Sequence, residues 1–229
     1  MTLVDLSVII PVFNCQRYLG EAIQSVVAQT QPPKEIIVVN DGSTDESAAV
    51  ARSFPQVRLI EQENLGQAAA RNHGVEEAVG THLAFLDADD LWAVDKTALQ
   101  MAKLNEDPSL DAVFGHAVEF RNDDPAVRSA RGTRRDSQSI PAYLPSALLI
   151  SRKAFDAVGG YSSEFEIGEA LEWFARARDQ RVRMATLDQI VLKRRIHGDN
   201  LGIRKRTMQT EYARVLKLVI DRRRKRSAR

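Results

Sequence analysis

Three carboxylates crowd into four positions at Phe85-Leu86-Asp87-Ala88-Asp89-Asp90, directly after the apolar start of the run at Leu83. The run reads as a buried strand, and a parallel sheet opens its ligand crevices at the carboxyl ends of its strands. Asp87 and Asp89 are two apart, so on extended backbone they point the same way. Like charges this close repel unless something positive sits between them or a ligand hydrogen-bonds them. Hard oxygen donors suit Mg2+ or Mn2+ carrying a phosphorylated ligand. The same residues also suit a solvated acidic turn in which Asp87 or Asp89 caps the next helix.

The elements that must position these residues alternate. Leu6–Pro11 is a short β-branched run of buried-strand type. Leu19, Ile23, Val26 and Val27 follow at helical spacing, giving an amphipathic helix from about Arg17 to Thr30, stopped by Pro32-Pro33. Glu35–Val39 is a second strand. Asn40-Asp41-Gly42-Ser43 is turn chemistry, and Ser43 to Glu46 has capping-box spacing for a helix over Asp45–Ser53. Val57–Ile60 is a third strand and Gly66–Ala78 an Ala-rich helix leading to the fourth. This alternation means a parallel sheet with right-handed crossovers. Three strand ends then carry polar residues, at Pro11–Asn14, Asn40–Ser43 and Asp87–Asp90, and in such a sheet they converge on one crevice.

The second half is mixed. After Asp95 a helix runs to about Asn105, and Ala112–Phe120 alternates as a strand. Arg121–Ile140 is polar and without period, which reads as a mobile loop suited to ordering over a ligand. Ser146–Ser151 is a strand and Arg152–Val158 a short helix ended by Gly159-Gly160. A helix over Glu169–Gln180 turns Leu171, Phe174 and Ala175 inward, and Val182–Leu187 and Ile190–Ile196 are strand-like. From Ile203, the set Met208, Tyr212, Val215, Leu216 and Val219 is helix-periodic. The expected organisation is one α/β domain over about residues 1–202, with a nucleotide-binding half to about 115, and a C-terminal amphipathic helix over 203–229.

Composition narrows the classes. With 32 Lys and Arg against 31 Asp and Glu, net charge is +1, which excludes a nucleic-acid binder that works by overall electrostatics. The single cysteine, Cys15, forbids an internal disulfide and fits a reducing compartment. Asp5 stands where a secretory leader needs basic residues, and no apolar run approaches the roughly 20 residues of a membrane span. The expectation is a cytoplasmic protein, soluble or peripheral to the membrane.

Five fragments, in this order and spacing, resemble the family 2 glycosyltransferases of GT-A fold. They are Val8–Asn14, Asn40–Asp45, Asn64-Leu65-Gly66 through Ala70-Arg71-Asn72, Phe85–Asp90, and Arg195-Ile196-His197-Gly198-Asp199-Asn200. The resemblance implies a Rossmann-like, mostly parallel central sheet flanked by helices, with a mixed acceptor-side half. It implies that Pro11, Phe13 and Asn14 line a nucleotide, Phe13 by stacking on its base. Asp41 would hydrogen-bond the base edge, Arg71 would sit near the phosphates or base, and Asp87 with Ala88 would hold the ribose side. Asp89 would hold a divalent metal under the diphosphate, and His197 matches a late histidine that reaches the metal or diphosphate in some members. The donor implied is a nucleotide-sugar, a UDP-sugar first. The acceptor is open: a glycan, a lipid-linked sugar, a peptide or a small molecule.

One departure bears on catalysis. Family members usually carry a Glu-Asp pair whose Asp is the general base, and here the matching stretch is Gly168-Glu169-Ala170-Leu171-Glu172-Trp173, with Ala170 at that position. A methyl group accepts no proton, and a positioned base contributes about 10²- to 10⁴-fold in rate. Glu169 or Glu172, three apart on one helix face, takes the role, or the acceptor needs little help, or the site binds donor without transfer. Glu169 stands first because it borders the expected position. Alternatives from other classes are a non-enzymatic nucleotide-sugar binder and a sugar nucleotidyltransferase. The latter, like a dinucleotide dehydrogenase, lacks its Gly-rich phosphate loop, since Pro11–Asn14 stands after the first strand. Trp92 and Trp173 read as core or as acceptor-pocket walls, and Cys15 has no base partner to activate it. The basic run Arg222–Arg226 suits a solvated helix end and also contact with anionic membrane.

Overall fold

The computed structural model describes residues 3–121, 139–165, 167–198 and 209–227. The proposed mobile loop lies almost wholly outside these residues, as do the Asp199-Asn200 end of the last motif and the start of the C-terminal helix as expected from Ile203. One mixed sheet runs through the molecule. Its first four strands are β1 (Val4–Val12), β2 (Pro33–Asp41), β3 (Val57–Gln62) and β4 (His82–Phe85), all parallel, in spatial order β3-β2-β1-β4. Their crossovers are α1 (Gln16–Val27), α2 (Ser47–Arg52) and α3 (Gln67–Glu77).

The doubly apolar strands are buried on both faces because helices cover them. Leu6, Val8, Ile9, Ile10 and Ile37–Val39 have no solvent exposure. Tyr18, Leu19, Ala22, Ile23 and Val26 form the buried face of α1, as their spacing requires. Helix α3 lies especially close to the sheet at Gly74, where a Cβ would collide with the side chain of Ile9 and meet Val39 Cγ2 at 3.1 Å. That closeness brings the polar start of α3 to the strand tips.

Beyond β4 the sheet changes character. It continues through β8, β6 and β9 to β5, with β7 paired to β6. These are β5 (Leu91–Trp92), β6 (Ala112–Arg121), β7 (Ile140–Pro141), β8 (Leu149–Ser151) and β9 (Met184–Ile196). Only the β6–β9 ladder is parallel in this half; β8 is antiparallel to both neighbours and β5 to β9. The helices here are α4 (Lys96–Glu106), α5 (Arg152–Val158), α6 (Glu169–Asp179) and α7 (Gln209–Ser227).

Several expectations change. The two strands expected at 182–187 and 190–196 are one strand, whose pairing with β6 absorbs register shifts around His116. Pro145–Ala147 is a 3₁₀ turn, so the strand expected from Ser146 begins at Leu149. Ser43 and Glu46 form no capping box: Ser43 Oγ accepts the Asn14 N–H, while Asp45 accepts the Ser47 N–H ahead of α2. Leu171 is exposed, and Trp173 and Ala177 are the buried apolar residues of that helix. On α7, Val215 and Val219 face inward but Tyr212 and Leu216 do not.

Candidate active site

The tips of β1 and β2 are sewn together by side chains. Asn14, in left-handed backbone (φ 48°), accepts the Thr44 N–H at 2.8 Å through Oδ1 and donates its own N–H to Ser43 Oγ at 3.0 Å. Asn14 therefore joins two strand-end loops. Asp41 is buried, and its carboxylate accepts the N–H groups of Leu65 and Gly66 at 2.9 Å each and the Gln62 amide at 2.7 Å. It pins the turn that opens α3. Pro11 and Ala88 are buried beside this rim, whereas Phe13 stands 49% exposed at the end of β1. An exposed aromatic on a rigid strand tip offers a stacking face.

Arg71 is the hub of the crevice. Its side chain, from α3, is 2% exposed; Nη2 donates to Asp87 Oδ1 at 2.7 Å and Nη1 to Glu169 Oε1 at 2.8 Å. Burial opposes the charge, yet the Asp87 and Glu169 carboxylates outweigh it and hold the guanidinium above its ordinary pKa. Gln67 Nε2 adds a 3.0 Å bond to Asp87, and the Tyr161 ring lies 5.4 Å from the guanidinium carbon. A residue on α3 thus joins the first carboxylate after β4 to the first residue of α6. Arg71 Nε and the Tyr161 hydroxyl are both buried and have no hydrogen-bond partner among the described residues.

Asp89 makes a different contact. Its Oδ2 lies 2.9 Å from His197 Nε2, and the imidazole rests on the Tyr18 ring with centroids 4.6 Å apart. The backbone there is clamped by two residues that the sequence reading passed over as site residues. Asp90 is buried and accepts the Arg195 N–H at 2.9 Å; Arg195 Nε returns a 2.9 Å bond to the Asp89 carbonyl. Burial first, then the charges of Asp89 and Asp87, push the Asp90 carboxyl well above the ordinary range. Ser146 Oγ, accepting the Asp87 N–H at 3.0 Å, completes the support. Asp87 and Asp89 therefore differ in partner: one meets an arginine, the other an imidazole. The pair of Asp89 and His197 supplies a hard oxygen and a borderline nitrogen, a donor set that manganese accepts more readily than magnesium does. Among the described residues no group of three or more His, Cys, Asp or Glu is gathered for a metal, so other ligands would come from a diphosphate and water.

The two candidate bases separate cleanly. Glu169 lines a cleft of about 240 Å3 together with Gly66, Gln67, Ser163, Phe165 and Glu211. Glu172 is turned away, holding Arg176 Nε at 2.8 Å and Arg222 Nη2 at 2.6 Å. Arg222, the first residue of the basic run, is thus an internal partner rather than a free end. Both tryptophans are core: Trp173 is fully buried, and Trp92 is buried with its indole N–H on the Ser146 carbonyl. Burial pushes the Cys15 thiol up to about 12, so it carries no thiolate chemistry at neutral pH.

A parallel half-sheet whose strand tips hold carboxylates, fused to a mixed half that supplies an acid and a histidine, defines the GT-A class. The chain belongs to glycosyl transferase family 2, whose family model matches residues 7–159. An uncharacterized glycosyltransferase of Rickettsia felis is 41% identical over 113 residues, covering 48% of this chain and 18% of that one. The chain thus accounts for less than a fifth of that relative's length. Among solved structures, the mannosyltransferase PcManGT from Pyrobaculum calidifontis, in complex with GDP-Man and Mn2+, superposes with a TM-score of 0.72 at 18% identity, covering 96% of this chain and 65% of that one. S. aureus TarS 1-349 in complex with UDP gives 0.69 at 18% identity, with 93% and 64% covered. At that identity the likeness is one of fold.

Proposed function

We propose that this chain transfers a sugar from a nucleoside diphosphate donor, UDP-sugar first, to an acceptor hydroxyl with inversion at the anomeric carbon. The observation that carries the proposal is the single guanidinium of Arg71 held between Asp87 and Glu169. It joins the donor-side carboxylate to Glu169, the one of the two sequence-expected bases that lines the cleft, through one rigid group. Phe13 offers its exposed ring to the base, and the Asp87–Asp89 stretch faces the ribose and diphosphate. Asp41 and Asn14 act on the nucleotide chiefly by fixing the rim, given their engagement with backbone amides. A divalent cation, Mn2+ or Mg2+, held by Asp89 and His197, would neutralise charge building on the departing diphosphate. Glu169 takes the acceptor proton: Oε1 is anchored by Arg71, which orients the carboxylate. Glu172, locked under two arginines, acts on the packing of α6 and not on the proton.

The test is a pair of variants. Glu169→Gln is expected to lose roughly 10²- to 10⁴-fold in turnover while keeping donor-dependent thermal stabilisation, and Glu172→Gln to keep its chemistry at some cost in stability. Full transfer by Glu169→Gln contradicts the assignment. A second reading, a donor-binding protein without transfer, is favoured by Ala170 standing where the base is expected. Release of nucleoside diphosphate with Mn2+ present separates the two.

A further inference from the structure

Helix α7 has more apolar surface than the other described residues cover. At about 100° per residue, Val215, Val219, Tyr212, Leu216 and Ile220 share one arc of about 140°. Val215 and Val219 pack with Phe165, filling the inward part. Tyr212, Leu216 and Ile220 are 46%, 52% and 49% exposed, one turn apart along the helix. Three large apolar side chains aligned in this way are unlike the scattered apolar residues of an ordinary surface. Lys217 and Arg224 are exposed on the polar flank of the stripe, and the sequence goes on through Arg222–Arg226.

We infer that this outer face of α7 docks on an anionic lipid surface, with Leu216 and Ile220 entering the acyl boundary, Tyr212 at the headgroup level and Lys217 and Arg224 on the phosphates. Charge decides the occupant: an apolar stripe bordered by cations matches a bilayer interface carrying acidic headgroups, and tyrosine favours that boundary. Arg222 is not part of this surface, because Glu172 holds it inside. The docked element also carries Glu211 in the wall of the Glu169 cleft, so the lipid surface would lie one helix away from the reacting groups.

The test is flotation of the full chain with vesicles of pure phosphatidylcholine or of phosphatidylcholine mixed with phosphatidylglycerol, read without any turnover. Binding is expected only to the mixed vesicles, weakening with added salt. Lys217→Glu and Arg224→Glu should each weaken it by about fivefold or more. The double variant Leu216→Glu/Ile220→Glu should abolish it, with unchanged circular dichroism because both residues are already in solvent. Absence of flotation by the wild-type chain overturns the inference. So does flotation that the double variant retains, since the basic residues alone would then suffice. A wild-type dimer that the double variant dissociates, in a chain that ignores vesicles, would assign the stripe to a second copy and overturn it as well.

Discussion

Arg71 concentrates more consequence in one side chain than any other residue of the site. It is buried between two carboxylates, so removing it leaves two negative charges facing each other without compensation. Breaking a buried pair in this way costs about 3–5 kcal/mol. Arg71→Met is therefore expected to lower stability to urea strongly and to abolish turnover; an unfolding free energy within about 0.5 kcal/mol of wild type, the surface-substitution range, contradicts the geometry. Asp89→Ala should leave the fold intact and remove the Mn2+ dependence of nucleotide-linked thermal stabilisation. A variant whose stabilisation still responds to Mn2+ would move the cation elsewhere. The residue types at these positions were legible before the contacts were: the spacing of Asp87 and Asp89 suited a ligand site or a solvated acidic turn. Their division between an arginine and a histidine was not legible, because it depends on where α3 and the end of β9 arrive. Glu169 and Glu172 make the same point. They share a helix face, and only the packing of α7, through Arg222, decides that one is occupied inside and the other lines the cleft.

Among the elements, α3 and α4 carry the sharpest constraints. Gly74 lets α3 approach β1 closely enough to deliver Arg71, and a methyl group there must displace Ile9. Gly74→Ala is expected to cost about 1–3 kcal/mol by overpacking, seen as a lowered thermal midpoint. An unchanged midpoint would show that α3 can shift without loss. Lys96 of α4 is fully buried, with Nζ donating to the Leu148 carbonyl at 3.3 Å and to Gln100, 4.3 Å from the centre of the Trp92 ring. Burial holds its pKa well below the ordinary 10.5. Between the depressed folded value and the ordinary one, the unfolded chain binds more protons, so stability rises with pH across that window and is flat below it. Lys96→Met should erase that rise in urea midpoints measured against pH; an identical rise in the variant would assign it to another group. The long periodic elements were readable from pattern alone: β1 to β4 and α1 to α4 fall close to their expected places. The two-residue strands β5 and β7 were not, since neither is long enough to show a period and both exist by pairing with β9 and β6. The outward half of the α7 arc escaped for a related reason. Periodicity shows that a face is apolar, but not how much of it the core will cover.

At the scale of the molecule, the parallel half and the mixed half meet at the β4–β8 ladder, with the cleft bordered by both. A ligand that bridges them should stabilise the whole chain as one unit. Nucleoside diphosphates are expected to raise the thermal midpoint in a single cooperative transition, by an amount that grows with ligand concentration; two separate transitions would mean that the halves unfold independently. Among the described residues no helix is long and apolar enough to cross a membrane.

One guanidinium serving two carboxylates has a kinetic consequence. Under the proposed function, a donor that drew Asp87 toward its ribose would take part of one ion pair from Arg71, whose charge would then fall more heavily on Glu169 and settle that carboxylate for the second substrate. Addition should then be ordered, donor first, with the nucleoside diphosphate leaving last. Initial-rate inhibition by that product should be competitive against the donor and noncompetitive against the acceptor, and a competitive pattern against both would show that Arg71 passes no such message.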